Sequence, residues 1–380
     1  MKTFEVSKDL PFYWRLRQEL ETEFRVVSAP FEFELAESGL LTQQRDAKTL
    51  ALLNEVYRLP ANIGYFQEGY GFAEKYFQDI IEYMEEMMRY ESNHGKFVEI
   101  GCGGMLVLEH FKNKGYEVVG IDPSPLSADA SIAKGIPLIN DFFTEKTRIS
   151  NVQFVFHYDL LEHVESPIDF LQTQYELLGS NGLLIFSVPN PEPSMDIGDI
   201  SPAMHQHLNY FSRNALFNIL SQVGFVDVTC KIANYGGSLY FTARKESHRK
   251  RRFETNSPLE KETRFFETLE AAQDAFKERL YPILRGKEEV GLYVPLRALP
   301  YIGRIKDVSR DLSFRLIDDT KAWNGKYFDG VPVPVENFKQ FCEKPAPVTI
   351  VFSLTFEREI MERVTKAGLE VHSLRSLLSL

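Results

Sequence analysis

Cysteine is scarce: Cys102, Cys230 and Cys342 are the whole complement of a 380-residue chain, and no two of them form a C-x-x-C pair. Neither a disulfide framework nor a thiolate zinc site is indicated, and a reducing, cytoplasmic setting fits. Long apolar runs are missing too. The opening MKTFEVSKDLPFYWR holds no uninterrupted hydrophobic stretch, and nowhere do about 18 apolar residues follow one another. Neither export nor membrane insertion is expected. Basic charge is in deficit: 43 Lys and Arg face 54 Asp and Glu, a formal charge of -11 that repels phosphate polyanions and argues against a nucleic-acid partner. What remains is ordinary globular composition, 44% hydrophobic and 26% charged, over a length that exceeds one hydrophobic core. Two or three domains are expected, with oligomerisation left open.

Periodicity divides the chain. Apolar positions recur every three or four residues in YWRLRQELETEF, KTLALLNEVYRL and EKYFQDIIEYMEEMM, which predicts an N-terminal helical region over residues 1–90. Within it, PANIGYFQEGYGF alternates aromatics with glycines, the composition of a lid, and Tyr65 on this loop is expected to contact a cofactor. From 91 to 246 short β-branched and aromatic runs (KFVEI, YEVVGID, VQFVFHY, GLLIFSV) alternate with helical patterns, which predicts βαβ units and an α/β, parallel-rich sheet. The stretch RKESHRKRRFETNSP breaks all periodicity and reads as a solvated linker. Linker and connecting helix take 247–288, and a second, smaller α/β domain takes 289–380.

The strongest local signal is KFVEIGCGG, a strand that runs straight into glycines and then a helix. Gly101 and Gly103 lack Cβ atoms, so the backbone can approach a ligand at the crevice where open α/β sheets bind nucleotides. A dinucleotide turn needs G-x-G-x-x-G, and Leu106 stands where the third glycine belongs. Glu99, two residues before Gly101, repels a pyrophosphate and attracts a cation. S-adenosyl-L-methionine carries a sulfonium and an ammonium and no phosphate, so it suits this turn. Asp122, about twenty residues downstream at the end of the next strand, is placed to accept both ribose hydroxyls.

VEIGCGG, VVGIDPSP, INDFFTE, LLEHVESPIDFL and ELLGSNGLLIFSVPN resemble, in order, the motifs of class I S-adenosylmethionine-dependent methyltransferases. That resemblance implies a Rossmann-like domain in which Glu99, Gly101 and Gly103 line the methionine moiety, Asp122 the ribose, and Asp141 with Phe142 the adenine. The family's further turn glycine is Met105 here, which leaves room for a binding-defective domain.

Of eight histidines, His157, His163, His205 and His207 follow strand ends of the proposed catalytic sheet. Methyl transfer to a protic acceptor requires loss of a proton, and neutral imidazole is the natural base near neutral pH. His207 and His163 are the expected catalytic residues, and His157 is expected at the cofactor. Metal ligation by the H-x-H pair with His163 is the alternative; no resident metal is expected.

A narrower resemblance, to the nucleotide-sugar C-methyltransferases of deoxysugar biosynthesis, rests on HQHLNYFS, GGSL and RLIDDTKAWNGKYFDGVPVPVENF. It implies His207 as base, His163 as its assistant and a nucleotide-linked sugar as acceptor. The family's tyrosine and glutamate are Met204 and Gln206 here, so oxygen or nitrogen is at least as suitable an acceptor atom as carbon, and its N-terminal zinc module is missing. Another small natural product or glycan substituent, or a catalytically silent binding module, are the competing readings.

Overall fold

The computed structural model describes residues 2–12, 16, 28–44, 46–57, 72–91, 95–245, 258–328 and 330–379. They form two compact units, each assembled from separated segments: Met1–Gln44, Pro191–His207 and Glu260–Leu380 in the first, Arg45–Asn190 and Leu208–Leu259 in the second.

The chain opens in the first unit with β1 (Lys2–Pro11), β2 (Ser28–Leu35) and β3 (Leu41–Gln43), paired antiparallel. Phe31 and Phe33, two residues apart, share one face of β2 and are both buried. The helical expectation for residues 1–90 is therefore corrected: strands occupy 2–11 and 28–35, and of the run 13–24 only Leu16 lies within the described residues. α1 (Ala47–Val56) and α2 (Phe72–Met88), in the second unit, are helices as the periodicity predicts. Asp46 caps α1, its carboxylate accepting from the Lys48 and Thr49 amides at 2.9 Å.

The second unit continues with β4 (Lys96–Ile100), α3 (Leu106–Asn113), β5 (Glu117–Ile121), α4 (Pro125–Lys134), β6 (Leu138–Ile139), β7 (Val152–Tyr158), α5 (Pro167–Leu177) and β8 (Leu178–Pro189). α4 shows how locally these boundaries are written: Ser124 accepts from the Leu126 amide, Pro125 opens the first turn, and Gly135 closes the helix in the left-handed conformation. After α6 (Glu192–Met195), which belongs to the first unit, come β9 (Asn209–Tyr210), α7 (Arg213–Val223), β10 (Phe225–Ile232) and β11 (Ser238–Lys245). The sheet order is β10-β11-β8-β7-β4-β5-β6, parallel from β8 to β6 with β11 and β10 antiparallel. From β4 the connections run one way to β5 and β6 and the other way to β7 and β8, so the ends of β4 and β7 flank a topological switch point. One face of this sheet buries Phe97, Phe154 and Phe156 against Leu108 and Phe111 of α3.

The first unit resumes with α8 (Glu260–Leu284), β12 (Glu289–Tyr293), α9 (Pro295–Ala298), α10 (Ile302–Val308), β13 (Ser313–Ile317), β14 (Val335–Glu336), α11 (Phe338–Glu343), β15 (Thr349–Val351), α12 (Glu357–Lys366), β16 (Val371–Ser373) and α13 (Leu374–Leu378). The five strands β12 to β16 form a second sheet of this unit, all parallel, in the order β14-β13-β12-β15-β16. Residues 289–380 carry this parallel sheet and its helices, but the expected separate domain is corrected: the compact unit also takes in Met1–Gln44, Pro191–His207 and α8. α8 is packed against the N-terminal strands through Phe265 and Phe33, ring centroids 5.5 Å apart, and Gln273 donates to Gly198 O at 2.8 Å. Buried Asp199 accepts from Ser194, Ser201 and the Tyr301 hydroxyl, fastening 191–207 to the same core. Of the expected linker and connecting helix at 247–288, residues 247–257 fall outside the described residues and α8 supplies the helix. Among the described residues no helix is long and apolar enough to cross a membrane.

Candidate active site

β4 delivers the chain into a turn that only unusual backbone angles allow: Gly101, Gly103 and Met105 all take positive φ (72°, 46° and 61°). Gly101 donates to Ile121 O at 2.8 Å, and Gly103 donates to Asp122 Oδ2 at 3.0 Å. The Ser124 amide takes the other carboxylate oxygen at 2.8 Å. Asn140 then donates to the carbonyls of Asp122 and Ser124. The βα turns after β4 and β5 are thus laced together by Asp122. Burial pushes the pKa of that carboxyl up, against the downward pull of the Ser124 and Gly103 amides. The Ser127 hydroxyl also bonds this carboxyl, and the several lone pairs of a carboxylate leave acceptor capacity for a ribose hydroxyl.

Glu99 is buried near the end of β4. Asp141 and Phe142 follow β6, the first exposed and the second half-buried, with Asp141 accepting from the Phe142 amide at 2.8 Å. Six of the expected cofactor residues, Glu99, Gly101, Gly103, Asp122, Asp141 and Phe142, therefore lie along one carboxyl edge of three neighbouring strands. Met105 takes the left-handed angles that suit glycine, yet its side chain is wholly buried in the core. A Cβ on Gly120 would stand 2.6 Å from Cys102 Sγ and 3.1 Å from Met105 Cε. The glycine absent at 105 is matched by one at 120, which makes room for the methionine.

Two expected cofactor contacts are not placed at this edge. Tyr65 lies outside the described residues. His157 is corrected: it is fully buried, stacked on Phe186 with centroids 5.0 Å apart and set edge-on to Phe170. Its position on β7 points it to the α5 face of the sheet, so it packs in the core, and burial drives its pKa down to about 3.

The loop after β7 is where chemistry gathers. A Cβ on Gly101 would lie 3.3 Å from Leu160 Cδ2, so this loop abuts the glycine turn directly. Asp159, at φ 45°, accepts from Ser187 Oγ at 2.8 Å and donates its amide to Ser187 O at 3.1 Å. Residues Leu161–His163 form a 3-10 turn. His163 Nδ1 is 3.2 Å from the Tyr57 hydroxyl, and its Nε2 is 3.6 Å from Glu162 Oε1. Burial pushes Glu162 well above the usual carboxylate range, with Asp159 adding to the effect, and pushes Asp159 to about 6. Beside them the Tyr158 and Tyr235 hydroxyls are 3.2 Å apart, Tyr235 donates to Ser238 Oγ at 2.6 Å, and Tyr76 lies over the Tyr235 ring at 4.1 Å.

Of the histidines read from the sequence, His163 belongs to this constellation. His205 is a core residue of the first unit, stacked on Phe12 and with Nε2 3.2 Å from Pro30 O. His207 is half-buried and is the last residue of the first unit's Pro191–His207 segment. Its successor Leu208 donates to Glu162 O at 2.8 Å in the second. Tyr57, Asp159 and Tyr235 were not anticipated. Asp159 had a readable signal, an acid directly after a buried parallel strand; Tyr57, more than 100 positions from His163, had none.

Residues 72–230 match a family model described as "Methyltransferase domain". A ubiquinone biosynthesis O-methyltransferase of Ruegeria sp. (strain TM1040) is 29% identical over 153 residues, covering 36% of this chain and 62% of that protein. A C-methyltransferase, NovU, of Streptomyces niveus is 27% identical over 149 residues, 37% of this chain and 36% of that one. This chain thus matches less than two thirds of the length of these curated relatives. Among solved structures, the 1,6-didemethyltoxoflavin-N1-methyltransferase of Burkholderia thailandensis aligns at 13% identity and a TM-score of 0.40, over 61% of this chain and all of that one. Residues 72–230 thus form a methyltransferase domain of the S-adenosyl-L-methionine-dependent kind. The expected α/β, Rossmann-like fold and the expected cofactor stand.

Proposed function

We propose that the chain as a whole transfers a methyl group from S-adenosyl-L-methionine to a small-molecule acceptor, a nucleotide-linked or otherwise activated sugar being the class the sequence favours. One observation carries the proposal: the Asp122-laced glycine turn and the His163 loop meet at Gly101 and Leu160, so a donor site and a basic side chain share one sheet edge. In the reaction the acceptor's lone pair forms the new bond to the methyl carbon, the carbon–sulfur bond breaks with its electron pair returning to sulfur, and the acceptor's proton passes to imidazole. His207 is the proposed base and His163 its assistant, Nδ1 of the latter held by Tyr57. Glu99, Gly101, Gly103, Asp141 and Phe142 are the proposed contacts for the rest of the donor.

The sugar assignment draws on the first unit, whose parallel sheet has its own switch point between β12 and β15. There Arg363 bonds Asp319 and the Tyr293 hydroxyl at the strand ends. Arg304, by contrast, is engaged with Val6 O at 2.6 Å and holds β1. Because Met105 packs into the core, the altered turn lends no support to a silent module. A reducing compartment suits the three cysteines, none of which forms a disulfide among the described residues.

The test is turnover: the protein, S-adenosyl-L-methionine and a panel of sugar nucleotides, with S-adenosylhomocysteine and methylated product read by mass spectrometry. Product from one panel member, lost in His207→Ala, supports the proposal. Release of S-adenosylhomocysteine only with non-sugar acceptors would move the acceptor class, and none with any acceptor would sink the enzymatic proposal.

A further inference from the structure

Two carboxyls in the loop after β7 lack an ordinary partner. Glu162 is 2% exposed, and neither of its carboxyl oxygens has a hydrogen-bond partner among the described residues. Asp159 has only the Ser187 hydroxyl on one oxygen. Among the described residues neither acid is paired with lysine or arginine; within the second unit the basic group beside Glu162 is His163 at 3.6 Å. Burying such a pair without a cation is costly, because each charge loses its hydration and each raises the cost of ionising the other. A fold keeps such an arrangement when a ligand supplies the missing positive charge.

Location says which ligand. Leu160, between the two acids, touches the glycine turn, and β7 lies beside β4 in the sheet with Phe156 opposite Glu99. Asp159 thus emerges at the sheet edge next to the turn assigned to the methionine moiety, while Asp122 marks the ribose on the other side. The donor's sulfur sits between its ribose and its amino-acid end, so the charged atom belongs at this stretch of the edge. We propose that Asp159 and Glu162 are the counter-charge for the donor's sulfonium, and that this loop thereby discriminates the charged donor from its neutral product. The inference rests on the methyl-transfer proposal for its donor site. It adds a functional consequence: once the methyl group leaves, the sulfur is neutral, the attraction vanishes, and S-adenosylhomocysteine is held less tightly than the donor.

The experiment compares three ligands that differ at one position. S-adenosyl-L-methionine carries a sulfonium, sinefungin an amine that is protonated at neutral pH, and S-adenosylhomocysteine an uncharged thioether. Their affinities are measured calorimetrically for the full chain and for Glu162→Gln and Asp159→Asn, both close in shape to the native side chain. The native protein is expected to prefer the two cations over S-adenosylhomocysteine by about tenfold, a modest value for a partly solvated charge pair. Each variant is expected to bring that ratio close to one while S-adenosylhomocysteine affinity stays within about twofold, which also reports that the fold is intact. An unchanged ratio, or equal weakening of all three ligands, overturns the proposal in favour of a structural role. Failure of the native protein to bind any of the three overturns the donor assignment itself, a result distinguishable from the other two.

Discussion

The hydroxyl of Tyr57, at the end of α1, stands 3.2 Å from Nδ1 of His163. A residue from the helix preceding the sheet thus fixes one nitrogen of an imidazole carried by the loop after β7. Orientation of this kind decides which nitrogen carries the proton and where the other points. In Tyr57→Phe, kcat is expected to fall about tenfold with donor affinity unchanged, and the acidic limb of the pH–rate profile, set by protonation of the imidazole bases, is expected to move. Equal losses in kcat and donor affinity, with no shift in the profile, would reduce Tyr57 to packing.

His157 offers a pH test with a definite sign. In the unfolded chain its imidazole takes up a proton below the usual value near 6.5, whereas in the fold it stays neutral down to about 3. Its contribution is therefore whole above 6.5 and is lost as pH falls toward 3, at up to about 1.4 kcal/mol per unit. Chemical denaturation from pH 7 to 4 is expected to show a shallower acid limb in His157→Phe, with donor affinity within about twofold of native. Loss of donor binding would restore His157 to the cofactor site.

Gly120 is expected to resist substitution for a reason specific to this turn. An added Cβ meets Cys102 Sγ at 2.6 Å, so Gly120→Ala is expected to cost about 1–3 kcal/mol by overpacking. Removing the sulfur in a Cys102→Ala background should return part of that loss. Additive effects in the double-mutant cycle would show that the clash is absorbed elsewhere.

Asp199 holds the 191–207 segment through three side-chain donors and the Ser201 amide. Asp199→Ala leaves those buried groups without an acceptor and is expected to cost about 3 kcal/mol or more, seen as a lowered unfolding midpoint. Native stability in the variant would mean that water or a neighbour replaces the carboxylate.

Most of the second unit's sheet was legible because β4, β5, β7 and β8 hold apolar runs next to helices, so pattern and neighbour agree; β6, two residues long, was too short to show a pattern. The first unit was harder. β1 shifts register after Glu5 and again after Ser7, which breaks the alternation a strand would show, although Phe31 and Phe33 carried a clean period of two that outweighed nothing helical nearby. Its boundaries were hidden because 1–44, 191–207 and the C-terminal third meet only in three dimensions. In the site, the glycine turn, Asp122 and His163 could be read because they are strand-end residues within contiguous motifs. His157 misled for the same reason: strand-end proximity says nothing about which face a side chain takes, and one position along β7 separates core from edge. Tyr57 joins His163 only through the fold.

The most direct measurement is a calorimetric titration of the full chain with S-adenosyl-L-methionine, repeated with Asp122→Ala. The account predicts one donor per chain for the native protein and affinity weakened by at least about tenfold in the variant, where the ribose loses its acceptor and the Gly103 turn its anchor. No binding to the native protein, or equal affinity in the variant, would contradict it.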